Sequence, residues 1–199
     1  MKIAAVLVAA GTSSRMGGQN KMLLPWAEST VVSGSLNELA NSNVSEIVVV
    51  TGRDAQKIEA EINRQQLTRT RTIYNPDFGK GLTTSIQTGI GAIKQADAVM
   101  VCMADMPLLQ AQDYQWLIDQ FSIQEKSIQV PYFGQQRANP VIFGQRHFQE
   151  ILNHQSMNGC SGVVQQNPDL VVRVQVQTNR FIQDIDSPED YQKLKDAFK

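Results

Sequence analysis

The chain has 199 residues, 42% of them apolar, and its 18 Lys and Arg against 19 Asp and Glu leave a formal net charge of -1. That is enough chain for one sizeable core, so a single domain over 1–199 is expected. The near-neutral balance provides no basic field for nucleic acid. No apolar stretch reaches the length of a membrane span, and the two cysteines, Cys102 and Cys160, exclude a disulfide framework or a Cys-x-x-Cys metal site. Met1-Lys2 runs directly into an apolar segment rather than a signal peptide, so a cytoplasmic location with reduced thiols is expected.

In chain order, Ile3 to Val8 reads as a fully buried strand. It breaks into Ala9-Ala10-Gly11-Thr12-Ser13-Ser14, followed by Arg15, Gly17, Gly18 and Lys21. A loop leaving the carboxyl end of a first strand is a common nucleotide position in α/β proteins. Small residues let main-chain N–H groups approach phosphate oxygens, and Arg15 and Lys21 add two cations. The segment lacks the Lys-Ser or Lys-Thr of a P-loop, and the glycine spacing fails the dinucleotide fingerprint. A solvated polar loop is the plainer alternative. Ser29 or Thr30 is expected to cap a helix with Val31, Leu36 and Leu39 on its inner face. Glu46–Gly52 reads as a second strand, Asp54 as the cap of an amphipathic helix carrying Ile58 and Ile62, and Arg71–Asn75 as a third strand. This alternation predicts an α/β fold with a doubly wound, mostly parallel sheet.

A helix is expected over Leu82–Ala96, with Thr83, Thr84 and Ser85 at its start, where hydroxyls and free N–H groups serve either as caps or as ligands for anions. Ala98–Ala104 is an apolar strand with Asp105 at its end, facing the same crevice as the first loop. Beside a triphosphate that carboxylate needs an intervening divalent cation, and Mg2+ suits a hard oxygen site; a structural cap is the alternative. Gln112–Phe121 predicts a helix. Ser127–Phe133 and Ala138–Phe143 predict a hairpin-like small β insertion beside the main sheet. His147 and His154 lack acidic or cysteine neighbours at metal spacing and are expected to pack or lie at the surface. Cys160 reads as an inert filler, or as a thiol activated at a helix N-terminus. Leu170–Val176 is a further strand, and Ser187 with Pro188 should open a last helix.

Gly11, Arg15, Met16, Gly17, Lys21, Leu23, Leu24 and Pro25 resemble the signature of the small-molecule nucleotidyltransferases, and the chain is most similar to the MobA-like branch containing molybdenum cofactor cytidylyltransferases. The resemblance implies the Rossmann-like nucleotidyltransferase fold. It also implies transfer of a nucleoside monophosphate to a phosphorylated acceptor, with CTP and molybdopterin as substrates and Mg2+ as cofactor. It places the nucleotide against Ala9, Ala10, Gly11, Thr12, Ser13, Arg15, Gly17, Lys21, Gly81 and Ser85, the last two from the segment opened by Asn75-Pro76. It implies Arg15, Lys21 and Asp105 as catalytic, Asp105 and Asp186 as metal ligands with Asp184 less secure, and Arg137 and Asn139 as acceptor contacts. A molybdoenzyme or its maturation chaperone is the implied downstream partner, with no nucleic acid and no membrane. Ala138, Cys160 and Val164 depart from the family pattern beside the acceptor. A sugar- or alditol-phosphate nucleotidyltransferase and a non-catalytic nucleotide- or cofactor-binding module therefore remain as alternatives.

Overall fold

The computed structural model describes residues 1–123 and 127–198. β1 (Ile3–Ala9) is buried at all seven positions, as an apolar run between two helical layers must be. After the polar loop a short antiparallel pair, β2 (Pro25–Trp26) and β3 (Ser29–Thr30), leads into α1 (Val31–Ala40), whose start is capped by the Thr30 hydroxyl accepting from Ser33 N–H. β4 (Ile47–Thr51), α2 (Ala55–Arg64), β5 (Thr70–Tyr74), α3 (Leu82–Ala92), β6 (Ala98–Met103) and α4 (Ala111–Gln120) continue the alternation. β7 (Ile128–Phe133), β8 (Gln136–Arg137), β9 (Val141–Gly144), α5 (Phe148–Leu152), α6 (Ser161–Gln166), β10 (Val171–Gln175) and α7 (Pro188–Phe198) complete it.

The sheet order is β10-β7-β9-β6-β1-β4-β5, with β8 attached to β7. β1 pairs in parallel with β4 and β6, while β9 runs antiparallel to both β6 and β7. This is the expected doubly wound, mostly parallel sheet. The two segments expected as an insertion beside it do pair with each other, but β9 lies within the sheet, between β6 and β7. Its alternation explains why: Ile142 packs into the core on one face and Phe143 into the core on the other, so neither side of the strand can face water.

One face of the sheet is covered by α1, α2 and α4 through Leu36, Leu39, Ile58, Ile62, Tyr114 and Leu117. The other is covered by α3, α5 and α6 through Ile86, Ile90, Ile151 and Val163. Asp54 sits at the start of α2 but does not cap it: its backbone is left-handed (φ 56°) and its carboxylate turns instead to Lys57, Arg53 and Asn20. α3 stops at Ala92 rather than Ala96. Gly89 and Gly91 weaken its last turn, and the Glu46 carboxylate accepts the Lys94 N–H that a longer helix would use. Gly89 also sets how closely α3 lies on the sheet, because an added Cβ would stand 2.4 Å from Val6 Cγ1 and 3.0 Å from Val50 Cγ2. Gly89→Ala is therefore expected to lower stability by about 1–2 kcal/mol in urea unfolding, overpacking outweighing the roughly 1 kcal/mol helix-propensity gain. An unchanged or raised midpoint would show that α3 can retreat without loss.

A small third apolar cluster of Met16, Trp26, Val31, Ile185 and Leu194 joins the polar loop, the β2–β3 pair, α1 and the α7 region. Ser187 and Asp190 start α7 with reciprocal side-chain to backbone bonds of 2.9 and 3.1 Å. No helix among the described residues is long and apolar enough to cross a membrane.

Candidate active site

β1 and β6 lie side by side and parallel, so the loop after β1 and Asp105 after β6 emerge at the same edge of the sheet. The third contributor, Asp184–Asp186, arrives from near the C-terminus. Ile185 between the two aspartates is fully buried against Met16 of the loop, and its N–H bonds to the Asp105 carbonyl at 2.9 Å. Apolar anchors one residue away thus bring Arg15 to within 2.9 Å of Asp186.

The loop is held by its own polar side chains. Ser13 (φ 52°) accepts from Lys21 N–H at 3.2 Å, and Asn20 accepts from Met22 N–H at 3.1 Å while donating to the Arg53 carbonyl at 3.1 Å. The Arg53 guanidinium donates to the carbonyls of Thr12 (2.7 Å) and Gly18 from outside the loop. Lys21 is buried, and its Nζ donates to Asp105 Oδ2 at 2.5 Å, to the Ile185 carbonyl at 2.7 Å and to Asp186 Oδ1 at 3.2 Å. Burial pulls the ammonium pKa down, but Asp105 and Asp186 together outweigh it and leave the pKa raised, so Lys21 stays cationic.

Ligand oxygens of Asp105, Asp184 and Asp186 lie within 4.8 Å of one another. Asp184 is exposed in area, yet it stands at the cleft mouth, where desolvation and the charges of Asp105 and Asp186 raise its carboxyl pKa. Asp105 Oδ1 is buried and makes no hydrogen bond. A converging carboxylate set with one buried, unpartnered oxygen fits a hard divalent cation.

These groups border a cavity of about 440 Å3 lined also by Ala10, Gly11, Thr12, Ser13, Ser14, Gly81 and Ser85. Two residues expected to contact the nucleotide do not line it. Ala9 is fully buried, because strand alternation sends its methyl into the α1-side core while Val8 and Ala10 face the other way. Gly17 sits in the turn beyond the cavity wall with φ 58°, a conformation its lack of a Cβ permits. Asn75 also turns away, its amide donating to the hydroxyls of Thr84 and Ser85 at 3.0 Å and so fixing the start of α3. Phe78 and Met103 line the cavity without having been singled out as contacts, and Asp184, the less secure of the implied metal ligands, lines it as well. The Asp-Ile-Asp alternation puts both carboxylates on the side opposite the buried Ile185.

A second cavity of about 260 Å3 adjoins the first through Leu82 and Met103. Arg137, Asn139 and Cys160 line it, above an apolar floor that includes Ile86, Val101 and Phe143. The Cys160 thiol is pushed up to about 12 by burial, against the pull of Arg137, so the filler role holds and the activated-thiol alternative does not. Elsewhere Ser127 Oγ lies 2.8 Å from His147 Nε2, and His147 Nδ1 lies 3.2 Å from Glu150. The spacing imitates a nucleophile relay, but serine and histidine are each 2% exposed, so the chain of bonds ties β7 to α5 and offers no reactive hydroxyl.

A cationic loop and an acidic cluster meet over a cleft at the carboxyl edge of this sheet, and the family match makes the protein a nucleotidyltransferase. The chain belongs to the MobA-like NTP transferase domain family, whose pattern matches residues 5–171. It is 26% identical over 194 residues to the molybdenum cofactor cytidylyltransferase of Escherichia coli K12, an alignment covering 97% of this chain and 95% of that one. A nucleotidyl transferase from Methanothermobacter superposes with a TM-score of 0.86 at 19% identity, covering 99% and 97% of the two chains. Mycobacterium tuberculosis Rv0371c, solved in complex with manganese, superposes with a TM-score of 0.74 at 19% identity over 99% and 100%.

Proposed function

We propose that this single domain transfers CMP from CTP to a phosphorylated pterin acceptor, molybdopterin, with release of pyrophosphate. The observation that carries the reading is the convergence of Arg15 and Lys21 with Asp105, Asp184 and Asp186 at one cleft, which continues into a cavity bearing Arg137 and Asn139. A phosphate oxygen of the acceptor attacks the α-phosphorus in line, the α–β bridging bond breaks, and pyrophosphate leaves with the electron pair. The nucleophile is already ionised at neutral pH, so no general base is required. Arg15 and the N–H groups of the loop grip the β- and γ-phosphates, and Lys21 neutralises charge at the α-phosphoryl group. Arg53 keeps two loop carbonyls turned outward, away from the anion. Asp105, Asp184 and Asp186 would hold Mg2+, which when bound offsets the charge of the triphosphate.

Cytosine as the base is supported by the name of the E. coli relative and by Ala10, whose buried methyl lines the cavity and would leave less room for a purine than a glycine would. Incubation with each NTP, Mg2+ and molybdopterin should release pyrophosphate fastest with CTP, by about tenfold or more over GTP. Faster turnover with GTP would overturn the base assignment. Release with sugar phosphates and none with molybdopterin would overturn the acceptor, and nucleotide binding without release for any acceptor would leave a binding module.

A further inference from the structure

Arg137 stands on the ridge between two cavities. One is the acceptor cavity; the other, of about 590 Å3, is lined on its far side by Tyr132, Val164, Pro168 and Arg173. Strand register explains the grouping. Arg137 on β8 pairs opposite Tyr132 on β7, and Gln175 on β10 pairs opposite Tyr132 from the other side. Residues two apart share a face, so Arg173 falls on the same side as Tyr132 and Arg137. The Arg173 guanidinium lies 5.1 Å from the centre of the Tyr132 ring.

The row is cationic, and no carboxylate among the described residues lines the second groove. Among the described residues, neither Arg137 nor Arg173 has an ion-pair partner, as is also true of Arg69 and Arg146, but only Arg137 and Arg173 share a groove. Arg137 is also half-buried, which removes part of the water that would otherwise satisfy its donors. Two like charges on one groove, with no acid beside them among the described residues, suit an anionic group, which a guanidinium can bond bidentately.

We propose that the Arg137–Tyr132–Arg173 groove is a second anion site, receiving a second negatively charged group of the acceptor whose phosphate lies at the transfer centre. The proposal rests on the transferase reading for the identity of its occupant, and it narrows the acceptor to a molecule anionic at two separated points. Arg137 binds from the ridge and Arg173 closes the groove from the edge strand β10.

The test follows the side-chain Nε–H signals of arginine by NMR while inorganic phosphate is titrated into the full chain. Arg15 reports the nucleotide cleft, and Arg137 and Arg173 report the groove. The expected result is saturable movement of the two groove signals with one shared Kd, and an Arg137 response weakened about tenfold in Arg173→Ala. Groove signals that do not saturate, or an Arg137 response that ignores Arg173→Ala, would overturn the site. In pyrophosphate-release assays Arg173→Ala should raise KM for the acceptor about tenfold and leave KM for CTP alone, and an unchanged acceptor KM would overturn the occupant. If the wild-type chain releases no pyrophosphate while the groove signals saturate, the transferase reading fails and the anion site stands.

Discussion

Asp105→Asn is expected to lower turnover by at least ~10³-fold while the protein still folds, because it removes charge at the one point where buried geometry and chemistry coincide. The change keeps the shape of the side chain, and Lys21 retains Asp186 and the Ile185 carbonyl as partners. What is lost is the anionic character of a carboxylate whose Oδ1 has no protein partner. Divalent-cation affinity, measured by calorimetry in the presence of CTP, should fall alongside the rate. Near-normal turnover with unchanged cation affinity would remove Asp105 from the mechanism and reduce it to a partner for a buried lysine.

Lys21→Ala should cost ~10²–10³ in kcat, the usual effect of deleting one preorganised donor from a developing anionic centre. It should also destabilise the folded protein in the absence of divalent cation. Asp105, Asp184 and Asp186 would then crowd together with only the exposed Arg15 nearby, and an uncompensated buried charge is costly. Millimolar Mg2+ should restore much of the lost melting temperature but not the rate, which separates the structural contribution of Lys21 from its catalytic one. Because Lys21 Nζ and Asp105 Oδ2 are 2.5 Å apart, the double variant should lose less than the two single losses combined. Strict additivity in free energy would mean that the pair does not act as a unit, and a kcat near wild type in Lys21→Ala would exclude the residue from transition-state stabilisation.

Much of the fold was readable from local signals. The apolar runs of β1, β4 and β6 announce strands buried on both faces, and Thr30 and Ser187 announce helix starts. Other features were not local. Asp54 has the residue type of a cap, yet the competing charges of Arg53 and Lys57 and the amide of Asn20 draw its carboxylate elsewhere. Ala9 lies within the signature loop's reach in sequence, but one step of strand alternation turns it into the core. Asn75 carries a polar amide beside the cleft, and the open hydroxyls of Thr84 and Ser85 claim it first.

The sequence by itself determined which segments become strands and helices, and which residue types could meet a phosphate or a cation. Those properties depend on hydrophobic period, capping chemistry and side-chain charge, all set within a few residues. Only the tertiary structure decided that Met16 and Ile185 pack together, and with that contact came the pairing of Arg15 and Lys21 with acids from the other end of the chain. It also decided that β8 and β10 flank β7 and line up Arg137, Tyr132 and Arg173 on one face. The physical reason is the same in both cases: apolar burial and strand register fix positions across long stretches of chain, and the charged groups are carried to wherever those contacts place them.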